Sequence, residues 1–343
     1  MNVVIRADAS SRIGYGHIMR CLTLADELKK HASYASFICK SEQGNLIGFI
    51  RESGFKVYEL PTELDPIRDS EYTKNLLENK IGYPDYLIVD HYGLDLSWEE
   101  HLKPDVGKIM VIDDLVNRKH SCDIILNQNY GVKAQEYDGL IPPECKKLIG
   151  SSYVLLRDQF KEIRKEIPRH SGEVKKVFIF FGGADLTNET KKAIEAMMLL
   201  NRSTISLIVQ IADSNPYQKE IAKLCASLPN AILYQQVYDI APLMAEADLA
   251  IGAGGSNTWE RCCLGLPSIV MILAENQRPI VEKLSREGIV VNLGWFREVT
   301  PSSIAAIMNN LISDRETLRS MSVKAMEIVD GEGANRVIEE ILN

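Results

Sequence analysis

Two glycine turns in this sequence carry residue types suited to holding an anion and moving a proton. In the second half, DLAIGAGGSNTWERCC runs from an apolar stretch (Asp248 to Ile251) into Gly252, Gly254 and Gly255, and Ser256, Asn257 and Thr258 then open a helical segment. Glycines let backbone amides approach an anion closely, and a helix start adds unpaired N–H groups carrying about half a positive charge. A diphosphate fits there without an arginine. Glu260, in the first turns of that helix, is placed to accept hydrogen bonds from ribose hydroxyls. A serine or threonine capping a helix after a tight turn would leave the same local pattern. A second turn, FFGGADLTN, puts Gly182 and Gly183 directly after an apolar run, with Asp185 or Thr187 to cap the next helix. Between the two turns Val237, Ile240 and Leu243 form an apolar shelf for a base, or part of an ordinary core.

In the first half, VVIRADASSRIGYGHIMRC places Gly14, Tyr15, Gly16 and His17 after the first apolar run. The start matches a Gly-x-Gly-x-x-Gly fingerprint, but the sixth position is Met19 and the next apolar run ends in Lys40 and Ser41, with no acidic residue. Nicotinamide dinucleotides are therefore disfavoured. A Gly-x-x-x-x-Gly-Lys-Ser/Thr loop is also absent from the sequence. What remains is a histidine at the mouth of a helix, where it serves either as a general base near neutral pH or as a capping residue. YLIVDHYG brings Asp90, His91 and Tyr92 to the end of another apolar run, and Asp90 either orients an imidazole or caps. Asp113 and Asp114 stand at a similar position. No His-Glu-x-x-His or other tight ligand spacing occurs, so neither a dedicated metal site nor a cofactor is expected.

These residues need a scaffold that brings strand ends together. Short β-branched runs start at Asn2, Ala35, Lys56, Tyr86, Lys108 and Asp123, and again at Lys176, Ile205, Ala231, Asp248, Ser268 and Ile289. Segments with helical spacing, such as Ile18, Leu22, Ala25 and Leu28, lie between them. This βαβ alternation predicts parallel sheets covered on both faces. The stretch 159–175, QFKEIRKEIPRHSGEVK, is charged and interrupts the pattern. The expected organisation is an N-terminal domain over 1–158, a linker with a short helix over 159–175, and a C-terminal domain over 176–343. Both domains are read as Rossmann-like α/β units, facing each other across a cleft that takes the ligand at the strand ends.

The 343 residues suffice for two cores, and 45% hydrophobic with 25% charged residues is ordinary for a folded chain. A net charge of -8 repels nucleic acid and anionic lipid. No apolar run reaches the roughly 18 residues of a membrane span. The seven cysteines are scattered without a Cys-x-x-Cys pair, which points to a reducing compartment and a cytoplasmic protein.

Read together, RADASSRIGYGHIMRCLTLADEL, VDHYGLD, DDLVNRKHSCDIILNQN, FGGADLTN and IGAGGSNTWERCCLGLPSIVMILAENQ resemble, in order and over nearly the whole chain, the UDP-sugar hydrolases of pseudaminic acid biosynthesis. The second half also resembles the nucleotide half of the peptidoglycan N-acetylglucosamine transferase, a GT-B glycosyltransferase. The resemblance implies a GT-B-like fold and hydrolysis of UDP-2,4-diacetamido-2,4,6-trideoxy-β-L-altropyranose, metal-independent and inverting at the anomeric carbon. It places the catalytic histidine at His17, beside Gly16, and UDP in the second domain. Gly255 and Ser256 then meet the diphosphate, Glu260 the ribose and Ile240 the uracil, with Gly183 and Gly254 also among the nucleotide-binding residues. Asn276 and Gln277 match positions facing diphosphate and sugar. Asn257 stands where the family pattern commonly has threonine. Tyr92, Asn127 and Asn129 are candidates for the sugar's hydroxyl and acetamido groups. A UDP-sugar is the one partner implied, with no nucleic acid, membrane or obligatory protein partner. A UDP-sugar-dependent glycosyltransferase and a non-catalytic nucleotide-sugar binding module are the competing readings.

Overall fold

The computed structural model describes residues 1–10, 13–235, 237 and 239–343, and the chain divides into two compact units. The first comprises Met1–Leu155 with Glu332–Asn343, and the second Leu156–Gly331. Each is a parallel sheet with helices packed on it, as the βαβ alternation predicts.

In the first unit the strands are β1 (Asn2–Ala7), β2 (Tyr34–Lys40), β3 (Lys56–Leu60), β4 (Tyr86–Asp90), β5 (Lys108–Ile112), β6 (Ile124–Asn127) and β7 (Lys146–Ile149). The helices between them are α1 (Gly16–Lys30), α2 (Ile47–Glu52), α3 (Pro66–Leu76) and α4 (Leu96–Leu102). The sheet order is β3-β2-β1-β4-β5-β6-β7, all parallel. Strand side chains alternate between the two faces. Val3, Ile5 and Ala7 enter a core with Ile18, Leu24 and Leu28 of α1, while Val4 joins Leu87, Val89, Val111 and Trp98 on the other side.

The second unit holds β8 (Lys176–Phe180), β9 (Ser206–Ile211), β10 (Ala231–Gln235), β11 (Leu249–Ala253), β12 (Ser268–Ile272) and β13 (Val290–Trp295) in the order β10-β9-β8-β11-β12-β13. Its helices are α5 (Asp158–Glu166), α6 (Glu189–Leu200), α7 (Gln218–Ala226), α8 (Ala241–Ala245), α9 (Asn257–Cys263), α10 (Arg278–Arg286), α11 (Pro301–Ser313) and α12 (Arg315–Ile328). The charged 159–175 stretch carries the expected short helix, α5. Arg164 on α5 donates to the carbonyls of Cys263, Met326 and Val329, which ties the helix into the second unit.

The last helix, α13 (Gly333–Leu342), belongs to the first unit, whereas the sequence division runs the second domain on to Asn343. Val337, Ile338 and Ile341 form one apolar stripe at helical spacing, and they are buried in the core that holds α1. Gly333 runs against the Val154 carbonyl too closely for a side chain, and Arg336 donates to the Ser152 carbonyl.

Both sheets reverse direction of growth beside their first strand: β2 and β4 flank β1, and β9 and β11 flank β8. At such a reversal the connections leave the carboxyl ends of neighbouring strands in opposite directions and open a crevice. In the first unit the crevice lies between the ends of β1 and β4, where Ala7 is in register with Asp90. In the second it lies between β8 and β11, where Phe180 is in register with Gly252. His17 and both second-half glycine turns follow these strand ends. Truncating the fully buried Ile338 to alanine is expected to cost about 2–5 kcal/mol of first-unit stability. Urea unfolding followed by a probe in the first unit checks this, and an unchanged midpoint would remove α13 from that core.

Candidate functional site

In the first unit, helix α1 brings His17 to the crevice one residue after the helix begins, and the end of β4 brings Asp90 to meet it. The His17 ring is buried apart from one edge, and its Nδ1 lies 2.6 Å from Asp90 Oδ1. Arg20 Nη2 also lies 3.3 Å from Nδ1, but the carboxylate is the shorter contact and only accepts, so in the neutral ring the proton sits on Nδ1 and Nε2 is the acceptor. The same Asp90 oxygen accepts from Arg20 Nη2 at 2.6 Å, and Oδ2 accepts from Arg20 Nε at 2.6 Å. Burial alone would raise the Asp90 carboxyl, but Arg20 and His17 together hold it far below the ordinary carboxylate range. Arg20 continues outward, its Nη1 donating to Asp114 Oδ2 at 2.7 Å. Tyr92 donates to that same oxygen at 3.1 Å, and its ring stands edge-on to His17 with centroids 4.5 Å apart. Sequence reasoning found His17, Asp90 and Tyr92 but passed over Arg20. Arg20 lies one helical turn after His17, and that i, i+3 spacing was the signal available.

His17 and Tyr92 line a cavity of about 530 Å³ whose other walls include Asp8, Lys40, Glu42, Glu63 and His91. Beneath it lies a second buried ion cluster. Arg6, with no exposed surface, donates to both oxygens of Asp8 at 2.6 and 2.8 Å and to Asp69 at 2.7 Å. Lys40 stands 3.3 Å from Asp69, and Trp98 Nε1 donates to Asp69 at 3.0 Å. His91 Nδ1 accepts the Gly93 N–H at 2.9 Å, so its proton is on Nε2, 3.4 Å from Asp8 Oδ2. Burial, with Arg6 nearby, pushes His91 down to about 4.

Asn127 lies behind this site. It is fully buried, its Nδ2 donates to Tyr137 Oη at 2.9 Å, and its Oδ1 accepts the Asn129 N–H at 2.9 Å. Asn129 in turn donates to the Asp114 carbonyl at 3.2 Å, and Tyr137 to the Asp113 carboxylate at 2.9 Å. The structure thus places both asparagines in the scaffold that holds the β5 end. Asp113 accepts from Arg118 and from the Leu115 and Val116 N–H groups, a capping arrangement.

In the second unit, two of the three glycines at the end of β11 and in the turn that follows it are required by packing. A Cβ at Gly252 would lie 2.5 Å from the Phe180 carbonyl, and one at Gly254 would strike Val281. Gly254 also donates to the Met271 carbonyl at 3.0 Å. Gly255 is different: only the Gln277 amide comes near, at 3.6 Å. Ser256 is exposed and makes no capping bond, so its hydroxyl does not serve the helix. From below, the buried Arg261 donates to the Ala253 carbonyl at 2.8 Å and to Thr258 Oγ1 at 3.0 Å, stitching the two ends of the turn. Burial lowers its pKa to about 10. Glu260 accepts from Asn257 and, at 3.4 Å, from Arg157. Gln277 Oε1 accepts the Leu273 N–H at 2.9 Å, while Asn276 is exposed.

After β8, Gly183 is half-buried and its carbonyl accepts from Ser214 Oγ at 3.0 Å. Asp185 caps α6 through the Glu189 and Thr190 N–H groups. Ile240 is buried at the start of α8, and Tyr238 two residues before it lies outside the described residues. Among the described residues no group of three His, Cys, Asp or Glu side chains is arranged to hold a metal ion. Nor is any described helix long and apolar enough to cross a membrane.

The His91 environment has a consequence for stability. Between its ordinary value of 6.5 and about 4 the unfolded chain binds a proton that the folded chain does not. Its contribution is therefore full at neutral pH and is lost as the pH falls through that window. His91→Gln is expected to reduce the slope of unfolding free energy against pH by close to one proton between about pH 4 and 6.5. Denaturant titrations across that range check this, and an identical slope would contradict it.

Comparison with known proteins agrees with the fold. Residues 176–340 match the glycosyltransferase family 28 C-terminal domain. A Campylobacter jejuni protein named UDP-2,4-diacetamido-2,4,6-trideoxy-beta-L-altropyranose hydrolase is 33% identical over 289 residues, covering 84% of this chain and 97% of that protein. The spore coat polysaccharide biosynthesis protein SpsG of Bacillus subtilis is 23% identical over 341 residues, covering 98% of this chain and 96% of its own. Among solved structures, MurG of Acinetobacter baumannii superposes with a TM-score of 0.70 at 13% identity, covering 99% of each chain, which shows the fold. The chain has the GT-B fold, carries a family 28 C-terminal domain, and belongs to the nucleotide-sugar family of that Campylobacter jejuni hydrolase.

Proposed function

We propose that this protein hydrolyses a UDP-linked 2,4-diacetamido-2,4,6-trideoxy sugar to UDP and the free sugar, with His17 as the general base. The observation that carries this reading is the His17–Asp90 pair, which fixes the tautomer and leaves Nε2 as a proton acceptor on a sugar-sized cavity. In the proposed reaction a water oxygen attacks the anomeric carbon as the bond from that carbon to the diphosphate oxygen breaks. The electron pair leaves with UDP, and the water proton goes to His17 Nε2. Attack opposite the leaving group inverts the anomeric centre.

The nucleotide is assigned to the second unit, with Gly255, Ser256 and Gly183 meeting the diphosphate. Gln277 lies beside Gly255, and the neighbouring Asn276 is assigned to the same end of the substrate. Backbone donors fixed before reaction stabilise a developing negative charge without reorganising, usually the largest catalytic contribution. The reading calls on no metal. Glu260 and Ile240 are assigned to ribose and uracil, and Gly16 and Tyr92 to the sugar side. The identity of the sugar comes from the relative's name. Asp90, Arg20 and Tyr92 supply a reason why a base would be competent here.

A transferase reading is favoured by one observation, the match of the second unit to a glycosyltransferase family. The two separate in plain buffer. The hydrolase releases UDP from its donor with no acceptor present, whereas strict dependence on an added acceptor would establish the transferase. In heavy-oxygen water the label is expected in the sugar, and label in UDP would mean attack at phosphorus. His17→Ala is expected to lower turnover by about 10²- to 10⁴-fold while UDP affinity, measured by calorimetry, stays within a factor of two or so. Loss of both in parallel would end the proposed division of roles.

A further inference from the structure

We propose that Arg20 is a positioning residue for this reaction: by holding Asp90 in its guanidinium fork it lets that carboxylate orient His17 without drawing a proton onto it. The inference rests on the assignment of His17 as the base.

A carboxylate beside an imidazole does two things that oppose each other in a general base. It fixes the ring, and its negative charge favours the imidazolium, which cannot accept a further proton. Here one Asp90 oxygen serves His17 and Arg20 equally, at 2.6 Å each, and the other is held by Arg20 Nε. Fork geometry makes the arginine the stronger partner. Arg20 and Asp90 together are therefore an oriented acceptor with little net charge. The third arm of the fork sends the remaining imbalance outward, through Asp114, to the hydroxyl of Tyr92, whose ring edge braces His17. Removing Arg20 would leave Asp90, beside the imidazole, and Asp114, beside Tyr92, with no other lysine or arginine among the described residues paired to either.

None of the other charged or titratable groups facing His17 is substituted in these variants. On its own helix these include Cys21, whose Sγ lies 3.5 Å from Asp90. Across the cavity stand Asp8, held by Arg6, and Lys40, close to Asp69, with Glu42 and Glu63 on the rim and neutral His91. Differences between variants at 20 and 114 therefore isolate the fork.

The test uses two substitutions that move local charge in opposite directions. Arg20→Gln removes a cation, so His17 takes up its proton at higher pH, and the acid limb of kcat/KM is expected to rise by about one pH unit or more. Asp114→Asn removes an anion, and the same limb is expected to fall. Arg20→Lys restores charge without the fork, returning the limb toward the wild-type position while kcat stays reduced at its optimum. NMR titration of the histidine rings in the intact chain, with His17 assigned through His17→Gln, gives the same readout without turnover. If Arg20→Gln does not fold, Asp114→Asn and Arg20→Lys still decide the matter. A loss of activity with an unmoved limb, or both limbs moving the same way, would overturn the proposal. Wild-type protein that turns over no UDP-sugar would overturn the function reading instead, and the NMR arm would still report on the fork.

Discussion

The architecture of the first unit turns on a charge that cannot be left alone. Asp90 ends a fully buried central strand, and an isolated carboxylate at that depth would be costly enough to pick up a proton. It stays ionised because Arg20 reaches it with two donors and His17 with a third. Arg20 is itself buried and needs a second anion, which Asp114 supplies from the neighbouring β5 end. The site is thus a closed chain of obligations among β4, α1 and the loop after β5. Each member holds the next in place, and the resulting rigidity gives an imidazole one orientation.

A second chain of the same kind sits under the cavity floor. Arg6 on β1 bridges Asp8 at the same strand's end to Asp69 on α3, and Trp98 from α4 completes the coordination of Asp69. The Lys40 N–H gives Asp8 one more donor at 2.7 Å. This cluster joins β1, β2, α3 and α4 at the point where the sheet reverses. Crowding by its cations is also part of what keeps His91 neutral. Two of the charged groups on the cavity wall, Asp8 and Lys40, are thus paired behind the surface, by Arg6 and Asp69.

Much of this was legible in the sequence, and the limits have physical causes. Twelve strands announce themselves as apolar β-branched runs. The thirteenth, β7, reads KKLI: as an edge strand it needs only one apolar position and its lysines face outward, so periodicity carries no signal. Helix α13 is visible as a helix, but nothing in its stripe of Val337, Ile338 and Ile341 says which sheet it covers. His17 was found because a glycine turn marks it. Arg6, Arg20 and Arg261 were passed over because a lone arginine in sequence usually means a solvated surface, and only the fold shows that all three are buried. The asparagines of ILNQN pointed toward the ligand by position, yet their amides hold the β5 loop. The glycines of GAGG look equivalent on paper. Gly252 and Gly254 answer to Phe180 and Val281, and only at Gly255 would a side chain meet no more than ordinary contact, with the Gln277 amide.

The two units solve the same topological problem with different chemistry. Each reverses beside its first strand, and each opens a crevice there. In the first, buried side-chain charges meet at the crevice and pair with one another around His17. In the second, the turn has almost no side chains, and a buried arginine fastens it from behind through a carbonyl and a hydroxyl. A backbone turn of that kind offers N–H groups to any anion of the right shape and is indifferent to what the anion carries. With the nucleotide assigned to that turn, as proposed, one such half serves relatives named for transferring a sugar and a relative named for hydrolysing one. Under the proposed function, what distinguishes hydrolysis from transfer lies in the unit that holds His17, where Asp90 orients an imidazole.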